Sequence, residues 1–293
     1  MTAKPMFVDD AARARMATWF ETFRSAIAVP TESQIVGTPY GPTHVLVAGP
    51  RDAPPLVCLH GALATSAHVL PELGSLVERY RVYAVDVVGQ SVMSDDRRLD
   101  LDDDSYGTWL AAVCAGLGLT RITLFGVSWG GFVAMRLVKV APQLIEALIL
   151  VVPAGMVTGP VWKGLTRVGL PMLWYRLSPS EKRLRKLTEG LFTSADERWT
   201  TYFGDAVRSY RMDMRVPPLV KPEDVAGYQG PTLVLGADED VSFPGAALLA
   251  RAKELFPRAE MELLEGCKHC PPSDDAFRAR TAARVESFLS HRQ

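Results

Sequence analysis

The pentapeptide GVSWG at residues 126–130 constrains the fold of this chain more than any other feature. It follows a short β-rich run, Arg121 to Phe125, and precedes a stretch of helical periodicity that starts at Trp129. Glycines two residues before and two residues after Ser128 permit a turn between strand and helix that side chains would obstruct. The pattern therefore predicts a sharp elbow that lifts the Ser128 hydroxyl clear of a sheet, at a helix N-terminus that favours developing negative charge.

Short apolar runs alternate with helix-like stretches along the chain, as buried parallel strands and their crossover helices do. Residues 1 to about 30 are predicted to be helical and polar, and the turn TPYGP joins the first two strands in a hairpin. The predicted strands are 33–36, 43–47, 56–60, 81–88, 121–125, 147–152, 231–236 and 261–266. This alternation predicts an α/β fold with a mostly parallel, doubly wound sheet.

Residues 155–228 break the alternation with aromatic residues amid basic helical stretches such as SEKRLRKLTEG. We expect them to form a helical cap over the active-site end of the sheet. The main domain is then 1–154 and 229–293, with residues 1–32 as an N-terminal helical extension. Most of the cap aromatics are expected to pack, and a minority to line a pocket. They are Trp162, Trp174, Tyr175, Phe192, Trp199, Tyr202, Phe203 and Tyr210.

Charge and hydropathy restrict the partners that we expect. The formal net charge is −1 and no basic cluster persists, which argues against nucleic acid or an anionic membrane. No apolar run approaches the roughly 20 residues that cross a bilayer. The N-terminus carries acids and arginines where a signal peptide would have its apolar core. A cytoplasmic protein is therefore predicted, and the sequence leaves its oligomeric state open.

Two motifs suggest metal or redox chemistry only at first sight. Cys267 and Cys270 form a C-x-x-C pair, but no second pair or histidine pair completes a zinc set. The acidic run 95–104 lacks the glycine and spaced acids of a calcium loop, so we expect a solvated loop. Cys58 and Cys114 lie in apolar runs and are expected to be buried. No metal and no cofactor are predicted.

A serine nucleophile needs a base, and the base needs an orienting acid. Among the histidines, His269 lies in a loop directly after the last predicted strand, which is the position that the order Ser, acid, His requires, whereas His291 lies in the C-terminal tail. The other histidines are His44, His60, His68 and His291. The candidate acids follow strand 231–236 in succession, and the residues alone do not choose among them. They are Asp238, Glu239 and Asp240.

The segment HGALATS at residues 60–66 supplies a further element of the predicted site. Hydrolysis of an acyl substrate creates an oxyanion that needs preorganised donors. The backbone N–H of Trp129, directly after the nucleophile, and that of Ala62 are the candidates. His60 is then expected to shape this loop and not to act as the base.

In this order, Ser128, the later acids, His269 and the H-G loop resemble the α/β-hydrolase superfamily over about residues 33–154 and 229–290. HGALATS, YAVDVVGQS and VPPLVKPEDV resemble a carboxylesterase branch related to bacterial esterases. In such proteins the acid opens a short loop that leads into a helix, and Asp240, followed by VSFPGAALLARAKELFP, matches this layout best. The resemblance implies a catalytic triad of Ser128, His269 and Asp240 with an oxyanion hole at Ala62 and Trp129.

The same resemblance implies a serine hydrolase that cleaves a small carboxylic ester through an acyl-enzyme, with no metal or organic cofactor. It disfavours haloalkane dehalogenase and epoxide hydrolase chemistry, because those relatives use Asp where this chain has Ser128. A C–C bond hydrolase, lactonase or thioesterase with the same triad is an alternative. A ligand-binding receptor of this fold with little turnover is another, since fold alone does not establish activity.

Overall fold

The computed structural model of the protein describes residues 5–194, 196–213 and 215–290. Within these ranges the strands are β1 (Thr31–Thr38), β2 (Gly41–Ala48), β3 (Pro55–Leu59), β4 (Arg81–Val85), β5 (Ile122–Val127), β6 (Ile145–Val151), β7 (Thr232–Ala237) and β8 (Glu260–Leu264). They form one sheet in the order β1-β2-β4-β3-β5-β6-β7-β8. β1 pairs antiparallel with β2, and β2 antiparallel with β4, while the other pairs are parallel. The predicted hairpin and mostly parallel sheet are confirmed.

Helices cover both faces of the sheet and fill the long connection between β6 and β7. The α-helices are α1 (Asp10–Ser25), α2 (Ser66–Val69), α3 (Leu76–Arg79), α4 (Ser105–Gly116), α5 (Trp129–Val140), α6 (Val161–Gly164), α7 (Leu170–Leu177), α8 (Glu181–Thr188), α9 (Glu197–Ser209), α10 (Pro222–Val225), α11 (Gly245–Leu255) and α12 (Asp275–Ser290). Among these described helices, none is both long and apolar enough to cross a membrane.

Alternate residues of the central strands enter two different cores. On β3, Val57 and Leu59 pack with α4, α5 and α11, whereas Leu56 and Cys58 pack with α1, α2 and α12. All four side chains are completely buried. This burial on both faces explains why the strands are almost continuously apolar in sequence.

The N-terminal helix α1 is less polar than its sequence suggests. Its outer face is exposed, but Met16 and Phe20 are buried in the core on the α12 side of the sheet. This pattern is that of an amphipathic helix. Trp19 Nε1 also donates a hydrogen bond of 2.8 Å to Asp205 Oδ2 on α9, so α1 contacts the long insertion as well as the sheet.

The acidic segment 95–104 is irregular, as predicted, but the expectation that it is solvated throughout is wrong. Leu99 and Leu101 are buried and join the core beside α4 and α5. Arg136 on α5 fixes the segment further, because its Nη2 donates a hydrogen bond of 2.8 Å to the carbonyl of Leu101. The two leucines therefore pack this otherwise acidic loop against the main domain.

The insertion between β6 and β7 has a small core of its own, formed by Tyr175, Leu187, Leu191, Phe192, Phe203 and Val207. Its last part behaves differently, because Val220, Val225 and Tyr228 pack in the core beneath the sheet. The cap at residues 155–228 remains a proposal, and this packing joins the last part of that range, from Val220 onward, to the main domain.

Candidate active site

Ser128 stands on a strained turn between β5 and α5. Its backbone has φ 50° and ψ −110°, a region that non-glycine residues rarely adopt and that marks functional sites. A Cβ on Gly126 would lie 2.7 Å from the carbonyl oxygen of Gly130, and one on Gly130 would lie 2.4 Å from that of Leu59. Only glycine fits at both positions. This is the elbow that the pentapeptide predicts.

The structure brings Ser128, His269 and Asp240 into one chain of hydrogen bonds. The Oγ of Ser128 lies 2.9 Å from Nε2 of His269, and Nδ1 of His269 lies 2.8 Å from Oδ2 of Asp240. A carboxylate can only accept, so Nδ1 carries the proton that is shared with Asp240. Nε2 is then the acceptor that faces the serine hydroxyl.

The second oxygen of Asp240 is also fully engaged. Oδ1 accepts hydrogen bonds from the backbone N–H of Ser242 at 2.7 Å and of Phe243 at 3.0 Å. The Asp240 residue is only 3% exposed, and the Phe243 ring stands edge-on to the ring of His269 at 5.2 Å. These contacts fix the carboxylate and, through it, the plane of the imidazole.

The two neighbouring acids do not contact His269. The carboxylate of Asp238 accepts from the backbone N–H of Gly266 at 3.1 Å and of Cys267 at 3.0 Å. These bonds, that of Gly266 first, hold the pKa of Asp238 below its ordinary value. Glu239 has an exposed side chain, and its backbone N–H donates to the carbonyl of Cys267. Asp238 therefore ties the loop after β7 to the loop that carries His269, a role that its local sequence does not reveal.

The loop of His269 is held from the insertion as well. Lys268 N–H donates to Oγ1 of Thr193 at 2.8 Å, and Cys270 N–H donates to the carbonyl of Leu191 at 2.8 Å. Thr193 N–H returns a bond of 2.9 Å to the carbonyl of Cys270. His269 is thus clamped on both sides between the main sheet and the insertion. Such long-range bridges leave no local sequence pattern, so sequence reasoning could not find them.

The C-x-x-C cysteines are free thiols in this arrangement. Burial raises the pKa of Cys270 to about 12, and burial also raises that of Cys267, so both thiols stay protonated at neutral pH. In the part of the chain that the structure describes, no three His, Cys, Asp or Glu side chains cluster as a metal site. Cys58 and Cys114 are buried, as predicted.

The H-G loop passes directly beside the elbow. A Cβ built on Gly61 would lie 3.5 Å from Cβ of Ser128. The next residues turn sharply, because Leu63 has a positive φ of 58°. No acceptor among residues 5–194, 196–213 and 215–290 takes the backbone N–H of Ala62 or of Trp129. Both predicted oxyanion donors are therefore free for a ligand, and their role remains a prediction.

His60 shapes this loop through both ring nitrogens. Nδ1 donates to the carbonyl of Gly61 at 2.8 Å, and Nε2 accepts the backbone N–H of Val87 at 3.0 Å. Burial lowers the pKa of His60, although the charge of Asp86 opposes part of this effect. His60 is thus a neutral residue with its tautomer fixed and no nitrogen left for Ser128.

A buried carboxylate, Asp86, anchors the same loop from below. It accepts hydrogen bonds from Nδ1 of His44 at 2.7 Å, from the backbone N–H of Ser66 at 2.9 Å and from Oγ of Ser91 at 2.6 Å. Burial alone would raise the pKa of Asp86, but these donors, His44 first, outweigh burial and lower it. Sequence reasoning missed this network, which accounts for His44.

His68 lies on the wall of the site rather than in its reactive centre. Its Nδ1 accepts the backbone N–H of Thr65 at 3.1 Å in a capping box at the start of α2. Its ring packs against Phe23 and Tyr202. Burial lowers the pKa of His68 to about 3, and Nε2 is buried with no partner in the described residues. His291 lies outside those residues.

Two buried neutral histidines predict that acid destabilises the fold. The pKa values of His60 and His68 lie below that of an unfolded histidine, so the unfolded chain binds more protons below about pH 6.5. The free energy of unfolding should fall as the pH drops from about 6.5 to about 5, by up to about 1.4 kcal/mol per histidine and pH unit. Urea unfolding at several pH values measures this slope.

The matched variant for this test is His68→Gln. A glutamine at this position of the capping box can still accept the Thr65 N–H, but it does not titrate. The slope of unfolding free energy against pH should therefore be smaller than in the wild type. A slope equal to that of the wild type would contradict the assignment of His68 as a buried neutral base.

A cavity of about 400 Å³ opens above Ser128 and is lined mainly by apolar side chains. The insertion contributes Met172, Leu191, Phe192, Trp199, Phe203 and Tyr210 to its wall. Tyr175 and Tyr202 are buried in packing instead. Trp162 and Trp174 are 73% and 55% exposed and lie outside the cavity lining. Four of the eight cap aromatics therefore line the cavity, which is half of the set and not the minority that the sequence predicted.

Comparison with known proteins decides the family. The sequence profile of the "Alpha/beta hydrolase family" matches residues 56–283, more than three quarters of the chain. This chain belongs to the alpha/beta hydrolase family. The match runs from β3 to α12 and so includes the elbow, the loop of Asp240 and the loop of His269.

The chain shares between 23% and 34% of the aligned residues with three individual proteins that it resembles. The chain is 32% identical over 139 residues to an "Uncharacterized carboxylesterase nap" of Bacillus subtilis, covering 46% of each, so it spans less than half the length of that relative. It is 34% identical over 269 residues to "Uncharacterized protein Rv2715" of Mycobacterium tuberculosis, covering 80% of this chain and 75% of that one. The solved naproxen esterase (carboxylesterase NP) of Bacillus subtilis has the same fold, with a TM-score of 0.78 and 23% identity over 94% of this chain and 97% of the other.

Proposed function

We propose that this protein is a serine hydrolase that cleaves small carboxylic esters through an acyl-enzyme. The observation that carries the proposal is the chain of hydrogen bonds from Ser128 through His269 to Asp240 at the floor of an apolar cavity. A hydroxyl, an imidazole and a buried carboxylate at these distances are the geometry of an activated serine nucleophile.

In the proposed reaction, Ser128 Oγ attacks the acyl carbon while His269 Nε2 takes its proton. The carbonyl oxygen becomes an oxyanion, which the backbone N–H groups of Ala62 and Trp129 hold. His269 then gives the proton to the leaving alcohol, and the carbon–oxygen bond to that alcohol breaks. Water, activated by the same imidazole, attacks the acyl-enzyme and releases the acid. Asp240 holds the imidazole in the required tautomer throughout.

The names of related proteins support esters as the substrate class. The nap relative is called a carboxylesterase, and the structural neighbour is a naproxen esterase. An apolar cavity suits an apolar acyl or alcohol group.

We further propose residues 155–228 as the cap over residues 1–154 and 229–293. Cytoplasmic location and the lack of nucleic-acid partners remain predictions from composition.

A turnover assay with p-nitrophenyl acetate and butyrate tests the proposal. We expect saturable release of p-nitrophenol that fluorophosphonates inhibit. Saturable binding of these esters without turnover would instead identify a receptor. An acyl thioester, a lactone and a vinylogous 1,5-diketone should be run beside the esters. A kcat/KM far higher on one of those three would identify the protein instead as a thioesterase, a lactonase or a C–C bond hydrolase, respectively, with the same triad.

Trp199 is the cap tryptophan that we expect to select substrates. It lines the cavity together with Phe192, and its ring lies 6.3 Å from that of Phe192. Trp199→Ala enlarges the apolar wall and should shift the preference for p-nitrophenyl esters toward longer acyl chains. Relative kcat/KM across acyl lengths measures the shift. Tyr40→Ala removes an aromatic ring far from the cavity and is the matched control. An unchanged dependence of kcat/KM on acyl length in Trp199→Ala would mean that this residue only packs and does not select substrates.

A further inference from the structure

The outer face of the insertion carries an exposed apolar stripe. α6 continues through residues 165–169 into α7, so that 161–177 form one helical rod. Large apolar side chains along the rod are 43% to 86% exposed. They are Val161, Trp162, Leu165, Leu173, Trp174 and Leu177. Soluble monomers rarely expose so much apolar surface in one place, and such patches mark interaction sites.

This stripe is not the face that folds the rod onto the protein. Val168, Met172 and Tyr175 on the opposite face pack in the core of the insertion. Val168 and Met172 also line the cavity above Ser128. The rod therefore has one apolar face directed at the substrate cavity and a second directed at solvent.

Positive charge surrounds the exposed stripe. Residues 161–189 contain seven Lys or Arg and two acids, although the whole chain has a formal charge of −1. The exposed basic side chains of this segment are Lys163, Arg167, Lys182, Arg183, Arg185 and Lys186. Four of these, all on α8, line the same shallow groove as Trp174. Glu181 and Glu189 line it too and pair with Arg185 and Lys186, so the excess positive charge next to Trp174 comes from Lys182 and Arg183. The net charge of the chain conceals this local excess.

We propose that this face docks on the surface of an anionic lipid bilayer. Tryptophans prefer the headgroup level, and Lys and Arg beside them bind lipid phosphates, which is the composition of interfacial helices. A second copy of the chain fits less well, because a symmetric contact would set like charges against each other. Docking would place the cavity wall within one helix diameter, about 10 Å, of the lipid. The inference goes beyond ester hydrolysis and revises the expectation that excludes an anionic membrane.

The test uses the purified full chain and large unilamellar vesicles. One population is pure phosphatidylcholine, and the other contains about one third phosphatidylglycerol. We expect flotation with the anionic vesicles, little flotation with the neutral ones, and release by high salt, which screens the charges. Because no turnover is measured, failure here would leave the proposed hydrolase function untouched, and failure of that function would leave docking untouched.

Two variants separate the contributions of the patch. The double variant Trp162→Ser with Trp174→Ser, and the double variant Lys182→Gln with Arg183→Gln, should each weaken binding to the anionic vesicles by at least about tenfold. The matched controls are Ile35→Ser, which removes another exposed apolar residue, and Arg97→Gln with Lys253→Gln, which removes two other exposed charges. Controls should bind like the wild type.

Three outcomes would overturn the proposal. The first is no binding to the anionic vesicles, and the second is equal weakening by the control variants. The third is evidence that a different partner binds this face. Self-association in light scattering that the tryptophan variant abolishes, without vesicle binding, would identify a second copy. Retention on immobilised polyglutamate that the charge variant abolishes, again without vesicle binding, would identify an acidic protein partner.

Discussion

Replacement of Ser128 with alanine is expected to lower kcat for p-nitrophenyl butyrate by about 10⁶-fold, the loss typical of removing a serine nucleophile. The Oγ of Ser128 hydrogen-bonds His269 and is the atom that we propose attacks the ester. Without it, His269 and the oxyanion donors have no acyl acceptor to activate. Initial rates at saturating ester measure kcat directly.

The same variant should fold like the wild type. Alanine has the same backbone preferences as serine at the positive φ of residue 128, so the strain of the elbow is unchanged. Ser290→Ala, at the exposed end of α12, is the matched control and should retain full activity. A Ser128→Ala protein with at least about one tenth of wild-type kcat would contradict the nucleophile assignment.

Asp240→Asn is expected to reduce kcat by up to about 10⁴-fold while the fold is preserved. The amide oxygen of asparagine can still accept the N–H groups of Ser242 and Phe243, as Oδ1 does in the wild type. The amide NH₂ then faces Nδ1 of His269 and forces the proton onto Nε2. An imidazole with that tautomer cannot accept the proton of Ser128. Single-turnover kinetics and thermal unfolding together separate this effect from loss of structure.

The neighbouring acids provide internal controls. Glu239→Gln should have little effect, because its side chain is exposed. Asp238→Asn weakens one of the bonds to Gly266 and Cys267, so it should loosen the loop and reduce activity far less than Asp240→Asn. A crippled Asp238→Asn beside an active Asp240→Asn would reverse the assignment of the acid and leave Ser128 and His269 in place.

Local patterns predicted much of the fold correctly. The sequence marked all eight strands of the described sheet, usually to within two or three residues. The central strands were clearest, because strands buried on both faces must be apolar, whereas β1 and β8 at the sheet edges are largely exposed or half-buried. The glycines around Ser128 predicted the elbow, since their spacing reflects steric contacts of the turn itself. The order along the chain narrowed the base to His269 and the acid to three neighbours.

Contacts between distant segments could not be predicted in the same way. Asp86 and Asp238 have hydrogen-bond partners that are distant in sequence, on β2 and in the loop after β8. The clamp of the His269 loop by Leu191 and Thr193 depends on how the insertion folds back. Burial of the leucines in segment 95–104 likewise follows from packing that charge composition does not report. Which cap aromatics face the cavity is also a property of the assembled fold.

Fluorophosphonate labelling, mapped by peptide mass spectrometry, tests most directly whether Ser128 is the activated nucleophile. A fluorophosphonate forms a stable bond only with a serine whose hydroxyl is activated by a base. We expect one stoichiometric adduct on the peptide that contains Ser128, none on Ser128→Ala, and strongly slowed labelling of His269→Ala. Ester turnover by wild-type protein with no adduct on Ser128, or with the adduct on another residue, would contradict the proposed mechanism.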